Sequence, residues 1–404
     1  MNWRVEDIAN FGISQSILRI VQPNIKALMV SPMDVTLRQN NMAVVLSRLP
    51  TRWNSEDVWL KQAREAVNRV KSEKGSLVTS VGLSGWDYLT WVAGNLGAKL
   101  LVILPPTTAD IVATYAEQIC NDLDIKMELT TIVAPIPNGK LRREEAFRIR
   151  DLLVTGLSDR FIPIVIRSGG YWEKVVANAE KVDDEFRVDY PKAIISADWT
   201  KHSMSECGMS FEWQEHLIHL TRGVYGPWRG EMSSDYFTAL TQEKSGNPRD
   251  ELATLTYILN SAILRGSGSI IRGGDPVLSF SSHDPYQLMA LNRYNPRLRG
   301  DSFQPFGVAV RTETLQRLGI RPVIYGTETE YRSLSEIDRP YFQSRGRSNS
   351  VDPNNDWSRE NESRLFGDLD LDSIKADVVA IVPTKAIAIE LQKRSGYKVV
   401  HLFD

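Results

Sequence analysis

The sequence has few cysteines, little net charge and no long apolar run. Its two cysteines, Cys120 and Cys207, form no CxxC pattern, which excludes a disulfide framework and makes a reducing cytoplasm the expected compartment. The formal net charge is −2, so any nucleic-acid-binding surface must be a local basic patch. The most apolar stretch, residues 91–106, is interrupted by Asn95 and Lys99 and ends in two prolines, so we expect no membrane span.

The first half of the chain alternates buried-type strands with amphipathic helices. Since 404 residues exceed one ordinary core, we expect two domains. Non-alternating apolar strands separated by helices are typical of a parallel sheet covered on both faces. We therefore predict a Rossmann-like α/β domain over residues 1–205. Its predicted strands are "IKALMVS", "MAVVLS", "SLVTSVG", "KLLVILP", "LTTIVAP", "FIPIVIR" and "KAIISAD".

The second half has a different pattern. Strand-like segments such as "HLIHLTR", "PVLSFS", "FGVAVR", "DVVAIVP" and "YKVVHLF" are separated by only a few helices. This pattern indicates an α+β domain with a mixed or antiparallel sheet over residues 206–404.

Two strand ends in the first half carry small, polar or glycine residues just before a helix: "VVLSRLPTRW" and "LVTSVGLSGWDYL". Such junctions point backbone N–H groups and a helix dipole at an anion. The pattern resembles the DprA and LOG-like Rossmann families, with Ser47, Arg48, Gly82, Gly85 and Asp87 at the corresponding places. The resemblance implies a pocket for a small nucleotide or for nucleic acid. The alternative is that these glycines only form tight βα turns.

The stretch "HLIHLTR", followed by a helix and the strand "VLSFS", resembles the ADP-ribosyltransferase fold, most closely its DarT-like members. The resemblance implies that His219 and Thr221 stand in the first element and Ser279 in the second strand. It also implies NAD as the donor, with a later glutamate at the reacting bond. The segment "DWSRENESRLF" offers Glu360 and Glu362. It resembles a segment of phage-defence and DNA-modification proteins, except that Ser363 replaces a tryptophan.

The residue types suit that chemistry. Breaking an N-glycosidic bond creates positive charge that a carboxylate stabilises, and a histidine positions hydroxyls. Arginines bind phosphates bidentately, and we predict this for Arg222 and Arg272. A cluster of Arg293, Arg297 and Arg299 beside Tyr294 is a candidate contact with a nucleic-acid backbone. Alternatively, the histidine belongs to the core, and the glutamates and the arginine cluster lie in solvated loops.

A metal site is the competing interpretation. His202, Cys207, His216 and His219 lie within one short span and are residue types that bind zinc. On a strand, however, His216 and His219 point to opposite faces, so we predict no metal.

These patterns lead to three hypotheses. The first is a DNA-directed modifying enzyme, with ADP-ribosyl transfer from NAD as the reaction. The second keeps the DNA target but alters an already modified base without NAD, for example a substituent of a 7-deazaguanine. The third is a non-enzymatic nucleotide sensor.

Overall fold

The computed structural model describes residues 2–32, 40–49, 52–190, 199–243, 246–269, 271–292, 294–295, 300–344 and 357–404. The chain forms two compact units, one of residues 1–194 and 225–248 and one of residues 195–224 and 249–404. None of the helices in these described ranges is long and apolar enough to cross a membrane.

In its described residues, the first unit begins with seven strands and six α-helices. The strands are β1 (Arg4–Glu6), β2 (Ile25–Ser31), β3 (Asn41–Leu46), β4 (Ser76–Ser80), β5 (Lys99–Ile103), β6 (Thr130–Pro137) and β7 (Arg160–Val165). The helices are α1 (Gln15–Val21), α2 (Val58–Ser72), α3 (Ser84–Leu96), α4 (Val112–Asp122), α5 (Arg143–Leu157) and α6 (Tyr171–Asn178). Six of the seven predicted strands are thereby confirmed, and the seventh, "KAIISAD", lies outside the described residues.

The strand order of the first sheet is β1-β2-β6-β5-β4-β3-β7. Strands β3 to β7 are mutually parallel, whereas β2 pairs antiparallel with β6 and β1 with β2. The chain moves outward from β3 to β6 and then returns to place β7 on the other side of β3. This reversal is the topological switch point at which doubly wound sheets bind their ligands. The predicted Rossmann-like parallel sheet is confirmed for five of its seven strands.

The second unit begins with α7 (Glu206–Met209) and β8 (His216–Leu220). The chain then contributes α8 (Ser233–Gln242) to the first unit. There Tyr236, Phe237 and Leu240 are buried in the core that also holds Trp53 and Trp91. The predicted division at 205/206 therefore needs a correction, because this returning helix buries its apolar side chains in the first core.

The rest of the chain completes the second unit. Its strands are β9 (Ile263–Leu264), β10 (Val277–Ser281), β11 (Tyr294–Asn295), β12 (Gly300–Asp301), β13 (Gly307–Arg311), β14 (Arg321–Pro322), β15 (Ile324–Gly326), β16 (Phe342–Ser344), β17 (Glu362–Phe366), β18 (Leu369–Asp370), β19 (Val378–Thr384) and β20 (Lys398–Phe403). Its helices are α9 (Glu251–Ser261), α10 (Pro285–Ala290), α11 (Thr312–Arg317), α12 (Glu328–Ser333) and α13 (Lys385–Ser395).

The main sheet of the second unit has the order β14-β17-β10-β8-β13-β19-β20. Only β19 and β20 pair in parallel, and the other neighbours are antiparallel. Leu217, Phe280 and Val308 pack in one buried cluster, while Ile218 and Ala309 pack in another. The two clusters follow strand alternation, so the sheet is buried on both faces. The predicted mixed sheet with antiparallel character is confirmed.

Candidate active site

The residues predicted in the first unit lie at the carboxyl ends of its parallel strands. Ser47 and Arg48 follow β3, and the Ser47 backbone N–H donates to the Val165 carbonyl at the end of β7 (2.7 Å). The Ser47 Oγ accepts a bond from the Arg167 backbone N–H (2.8 Å), and the Tyr190 hydroxyl donates to the Arg48 carbonyl (2.6 Å). These bonds fix the two loops that border the switch point.

Gly82 and Gly85 lie between β4 and α3 at the same edge. Gly82 has a φ of +86°, a left-handed conformation that favours glycine. A Cβ at Gly85 would meet Leu46 at an ordinary 3.5 Å, so Gly85 is not required by close packing. Asp87 accepts a hydrogen bond from the Gly82 backbone N–H (2.8 Å). The Asp87 carboxylate therefore holds this turn, as a capping residue does.

The Asp87 carboxyl group is itself perturbed. Burial raises its pKa to about 7, opposed by the bond from the Gly82 N–H and assisted by the charge of Asp122. An acid whose pKa is higher in the folded state binds more protons when folded, so folding stability falls as the pH rises from about 4 to about 7.

This shift gives a stability prediction for Asp87→Asn. We expect the variant to be more stable than the wild type by about 4 kcal/mol at about pH 8, because the neutral amide avoids the cost of ionising a buried carboxyl group, and to match its stability near pH 4. Urea unfolding at the two pH values measures the difference, with the exposed Asp110 changed to Asn as the control. Equal stability at both pH values would mean that the charged carboxylate is well solvated in the folded protein.

The second unit contains a cavity of about 250 Å³. It opens beside the place where β8 and β10 separate, because these strands pair only at Ile218 and Ser281. Continuing that register would set Leu220 opposite Ser279, but no such pair forms. Five of the residues predicted from the sequence line the cavity: His219, Arg222, Ser279, Glu360 and Glu362.

His219 bridges the gap between the two strands. Its Nδ1 lies 2.8 Å from the Ser279 carbonyl oxygen. A carbonyl only accepts, so Nδ1 carries the proton and Nε2 is the acceptor of the neutral ring. Burial lowers the His219 pKa, the bond to Ser279 opposes this, and the charge of Arg222 lowers the pKa further. His219 is therefore neutral at pH 7, with a fixed tautomer.

Glu362 is held by two neighbours. Its Oε1 accepts bonds from the Ser279 Oγ (2.5 Å) and the Arg364 Nε (2.9 Å), and its Oε2 lies 3.3 Å from the Arg364 Nη2. The register places Ser279 directly opposite Arg364 on the neighbouring strand. The longer bond at Oε2 leaves that oxygen the better acceptor for a further donor.

Arg364 is buried and makes a full set of bonds. Besides Glu362, its Nη1 donates to the carbonyls of Pro340 (3.0 Å) and Phe342 (2.9 Å), and its Nη2 donates to the Gln343 Oε1 (2.9 Å). All five guanidinium N–H groups thus have protein acceptors. Arg364 therefore positions Glu362 and has no donor left for a ligand.

Tyr325 lies beside the same carboxylates. Burial raises its pKa to about 12, and the nearby charge of Glu362 acts in the same direction. Its phenol is therefore protonated at neutral pH. Sequence reasoning missed Arg364 and Tyr325. The signal for Arg364 was its position two residues after Glu362, on the same side of an alternating strand.

The remaining predicted residues are placed differently. Thr221 is buried and does not line the cavity, and its backbone N–H donates to the Phe306 carbonyl (2.8 Å). Arg272 lies outside the cavity wall, where it forms an ion pair with Glu328 and stacks over Tyr331 (3.8 Å). The three arginines of the predicted basic cluster, Arg293, Arg297 and Arg299, lie outside the described residues.

The four residues of the zinc alternative do not converge. His202 packs on Trp199 and Phe403, whereas the His216 Nδ1 donates to the Glu212 carbonyl (3.0 Å). Cys207 is exposed. Over the described parts of the chain, no three or more His, Cys, Asp or Glu side chains are grouped as metal ligands.

Neither a protein-family model nor a curated protein matches this chain significantly. Two solved structures of DNA processing protein A are similar to it. For the Helicobacter pylori protein, described in terms of its single-stranded DNA binding mode, the identity is 13%, the TM-score 0.32, and the match covers 44% of this chain and 75% of that one. For the Streptococcus pneumoniae protein (DprA) the values are 16%, 0.34, 48% and 65%.

DprA structures are thus among the proteins to which this chain is similar. The Rossmann-like class of the first unit is defined by its own strand order. Neither structure is described as an ADP-ribosyltransferase, so that resemblance of the second half stays a prediction.

Proposed function

We propose that the cavity of the second unit is the active site of an enzyme that modifies DNA by ADP-ribosyl transfer from NAD. The observation that carries the proposal is that a neutral His219 and a rigidly held Glu362 both line one cavity. These are the two residue types that cleavage of an N-glycosidic bond requires, one to position hydroxyls and one to stabilise positive charge.

The proposed step breaks the bond between the ribose C1′ and the nicotinamide nitrogen, and nicotinamide leaves with the bonding electrons. The Glu362 Oε2 accepts a hydrogen bond from a ribose hydroxyl, and its negative charge stabilises the developing oxocarbenium ion. A nucleophilic atom of the DNA base then bonds to C1′. The proton lost from that atom passes to the His219 Nε2, which is the free acceptor of the neutral ring.

The first unit supplies the proposed nucleic-acid contact at the carboxyl edge of its sheet. Arg48 and Arg167 are exposed there, next to the loops joined through Ser47. The first turn of α5 lies at the same edge because α5 follows β6, and its Arg143 stacks over Phe147 (5.2 Å). A row of exposed arginines with an aromatic ring suits a phosphate backbone and an unstacked base.

The test is incubation of the full chain with DNA and NAD labelled in its adenylate half. We expect label on the DNA and one nicotinamide released per transferred group. Single-stranded and double-stranded DNA are assayed separately. If neither DNA labelling nor NAD consumption occurs, the proposal is wrong.

His219→Ala is expected to lower the transfer rate by about a hundredfold, because it removes both the hydroxyl-positioning ring and the proton acceptor. The exposed His202 changed to Ala is the matched control and should retain the wild-type rate. The comparison is made by initial rates of nicotinamide release. A His219→Ala rate within twofold of the wild type would assign His219 to the scaffold.

A second candidate keeps the DNA target but does not use NAD. The cavity of about 250 Å³ has room for a base with its sugar. Its apolar wall includes Phe280 and Phe303, which suit a flipped base. The protein would then alter a substituent of an already modified base such as a 7-deazaguanine. A DNA change that appears without added NAD would favour this candidate.

A further inference from the structure

We infer that the end of the cavity beside Val277 is a diphosphate-binding subsite formed by Arg265, Ser267 and Ser269, so that the ligand is a nucleotide and not a nucleoside. All three residues line the cavity. The inference rests on the proposed function in that it concerns the same cavity, and it adds the residues that would hold the phosphate groups of the ligand.

A tight glycine hairpin presents the two serines. Ser267 and Val277 exchange backbone hydrogen bonds in both directions (3.0 and 3.4 Å). A Cβ at Gly268 would lie 2.0 Å from the Gly274 carbonyl oxygen, which no larger residue tolerates. The hairpin closes so that the Ser267 and Ser269 hydroxyls lie 3.0 Å apart. These hydroxyls share a hydrogen bond, and the hydroxyl that accepts in that bond keeps its own proton for a phosphate oxygen.

Arg265 supplies the positive charge. Its side chain is 42% exposed, and its Nη1 lies 3.7 Å from the Asp368 Oδ2. An exposed pair at this separation contributes little, so a phosphate can compete for the guanidinium. A guanidinium binds two phosphate oxygens in one plane, which an ammonium cannot do. Arg364, by contrast, already has protein acceptors for all its N–H groups.

The spacing along β10 matches a nucleotide. Ser267 pairs with Val277, whereas the Glu362 carboxylate bonds the Ser279 hydroxyl. Two residues along a strand correspond to about 7 Å. If a ribose hydroxyl of the ligand is hydrogen-bonded to Glu362, a group a few bonds away from that hydroxyl would contact Ser267 and Ser269. In a nucleotide that group is the 5′ phosphate chain.

The inference also reassigns the phosphate role predicted for Arg272. Arg272 belongs to the same hairpin but points to Glu328 and Tyr331, outside the cavity wall. Seven residues earlier, Arg265 lines the cavity.

The experiment is isothermal titration of the full chain with ADP, inorganic pyrophosphate and adenosine. We expect ADP to bind at least about tenfold more tightly than adenosine. Arg265→Gln should weaken ADP and pyrophosphate about ten- to a hundredfold and leave adenosine unchanged, because it removes a charge-assisted contact to phosphate. Ser267→Ala should weaken ADP by a smaller factor.

Arg311→Gln is the matched control. Arg311 belongs to the same unit, is 49% exposed and forms an ion pair with Glu215 (2.9 Å), but it does not line the cavity. Its substitution should leave ADP binding unchanged. Thermal unfolding of each variant verifies that it is folded.

Three results would overturn the subsite: no preference for ADP over adenosine, ADP binding that Arg265→Gln does not affect, or no binding of any of the three compounds. If ADP bound in the first unit, Arg265→Gln would not affect its binding. Failure of the proposed function is distinguishable. ADP binding that depends on Arg265 but is not accompanied by NAD consumption would support the subsite and exclude the transferase. NAD consumption that is insensitive to Arg265→Gln would support the transferase and exclude the subsite.

Discussion

Glu362→Gln is expected to lower the rate of nicotinamide release by about a thousandfold or more. The glutamine side chain has nearly the same shape, so binding of the donor should change little. It lacks the negative charge that stabilises the oxocarbenium-like transition state, an interaction of the kind that contributes about 10²- to 10³-fold or more. The loss should therefore appear in kcat and not in KM.

The exposed Glu336, changed to Gln, is the control and should keep the wild-type kcat. Initial rates over a range of NAD concentrations give both constants. A Glu362→Gln enzyme within tenfold of the wild-type kcat would show that the carboxylate acts only as scaffold.

Arg364→Met is expected to destabilise the second unit by about 3–5 kcal/mol. The side chain of Arg364 is 2% exposed and that of Glu362 is 13% exposed, so the substitution leaves a largely buried carboxylate without its partner. The carbonyls of Pro340 and Phe342 also lose their donors. For a unit of this size we expect the melting temperature to fall by roughly 10 °C, as measured by circular dichroism.

Two further variants test whether the loss of stability comes from the unpaired Glu362 carboxylate. The double variant Glu362→Leu with Arg364→Met removes the unpaired charge and should recover a large part of the stability, but no activity. Arg321→Met removes an arginine that is 40% exposed and paired with Asp338. This second substitution should cost about 1 kcal/mol or less. If the double variant were as unstable as Arg364→Met alone, the carbonyl contacts and not the charge pair would be the source of stability.

The sequence pattern predicted most of the first unit, because its strands are continuous apolar runs bounded by turn residues. The strand predicted for "IKALMVS" is β2 with the same limits. The returning helix α8 was not predicted to belong to this unit. Local patterns carry no information about which of two cores an amphipathic helix joins, and that choice depends on the long-range packing of Tyr236 and Phe237.

The candidate site was predicted in part for a similar reason. His219, Ser279 and Glu362 carried a resemblance along the chain, and the structure brings them to one cavity. Arg364 carried only the weaker signal of its position two residues after Glu362, and Arg265 carried none, because the role of Arg364 depends on cross-strand register and on the carbonyls that surround it. A solvated loop was the alternative interpretation for the segment around Glu362, but β17 begins at that residue. The mixture of charged and apolar residues in this segment does not give the pattern of a buried strand. Arg364 can be buried there because its N–H groups are hydrogen-bonded.

The most direct test of the account is nucleoside mass spectrometry of DNA incubated with the purified chain, with and without NAD. If the protein transfers ADP-ribose to DNA, a nucleoside heavier by one ADP-ribosyl group appears only when NAD is present. The same nucleoside is missing when the Glu362→Gln variant is used. DNA whose nucleosides are unchanged in every sample would contradict it.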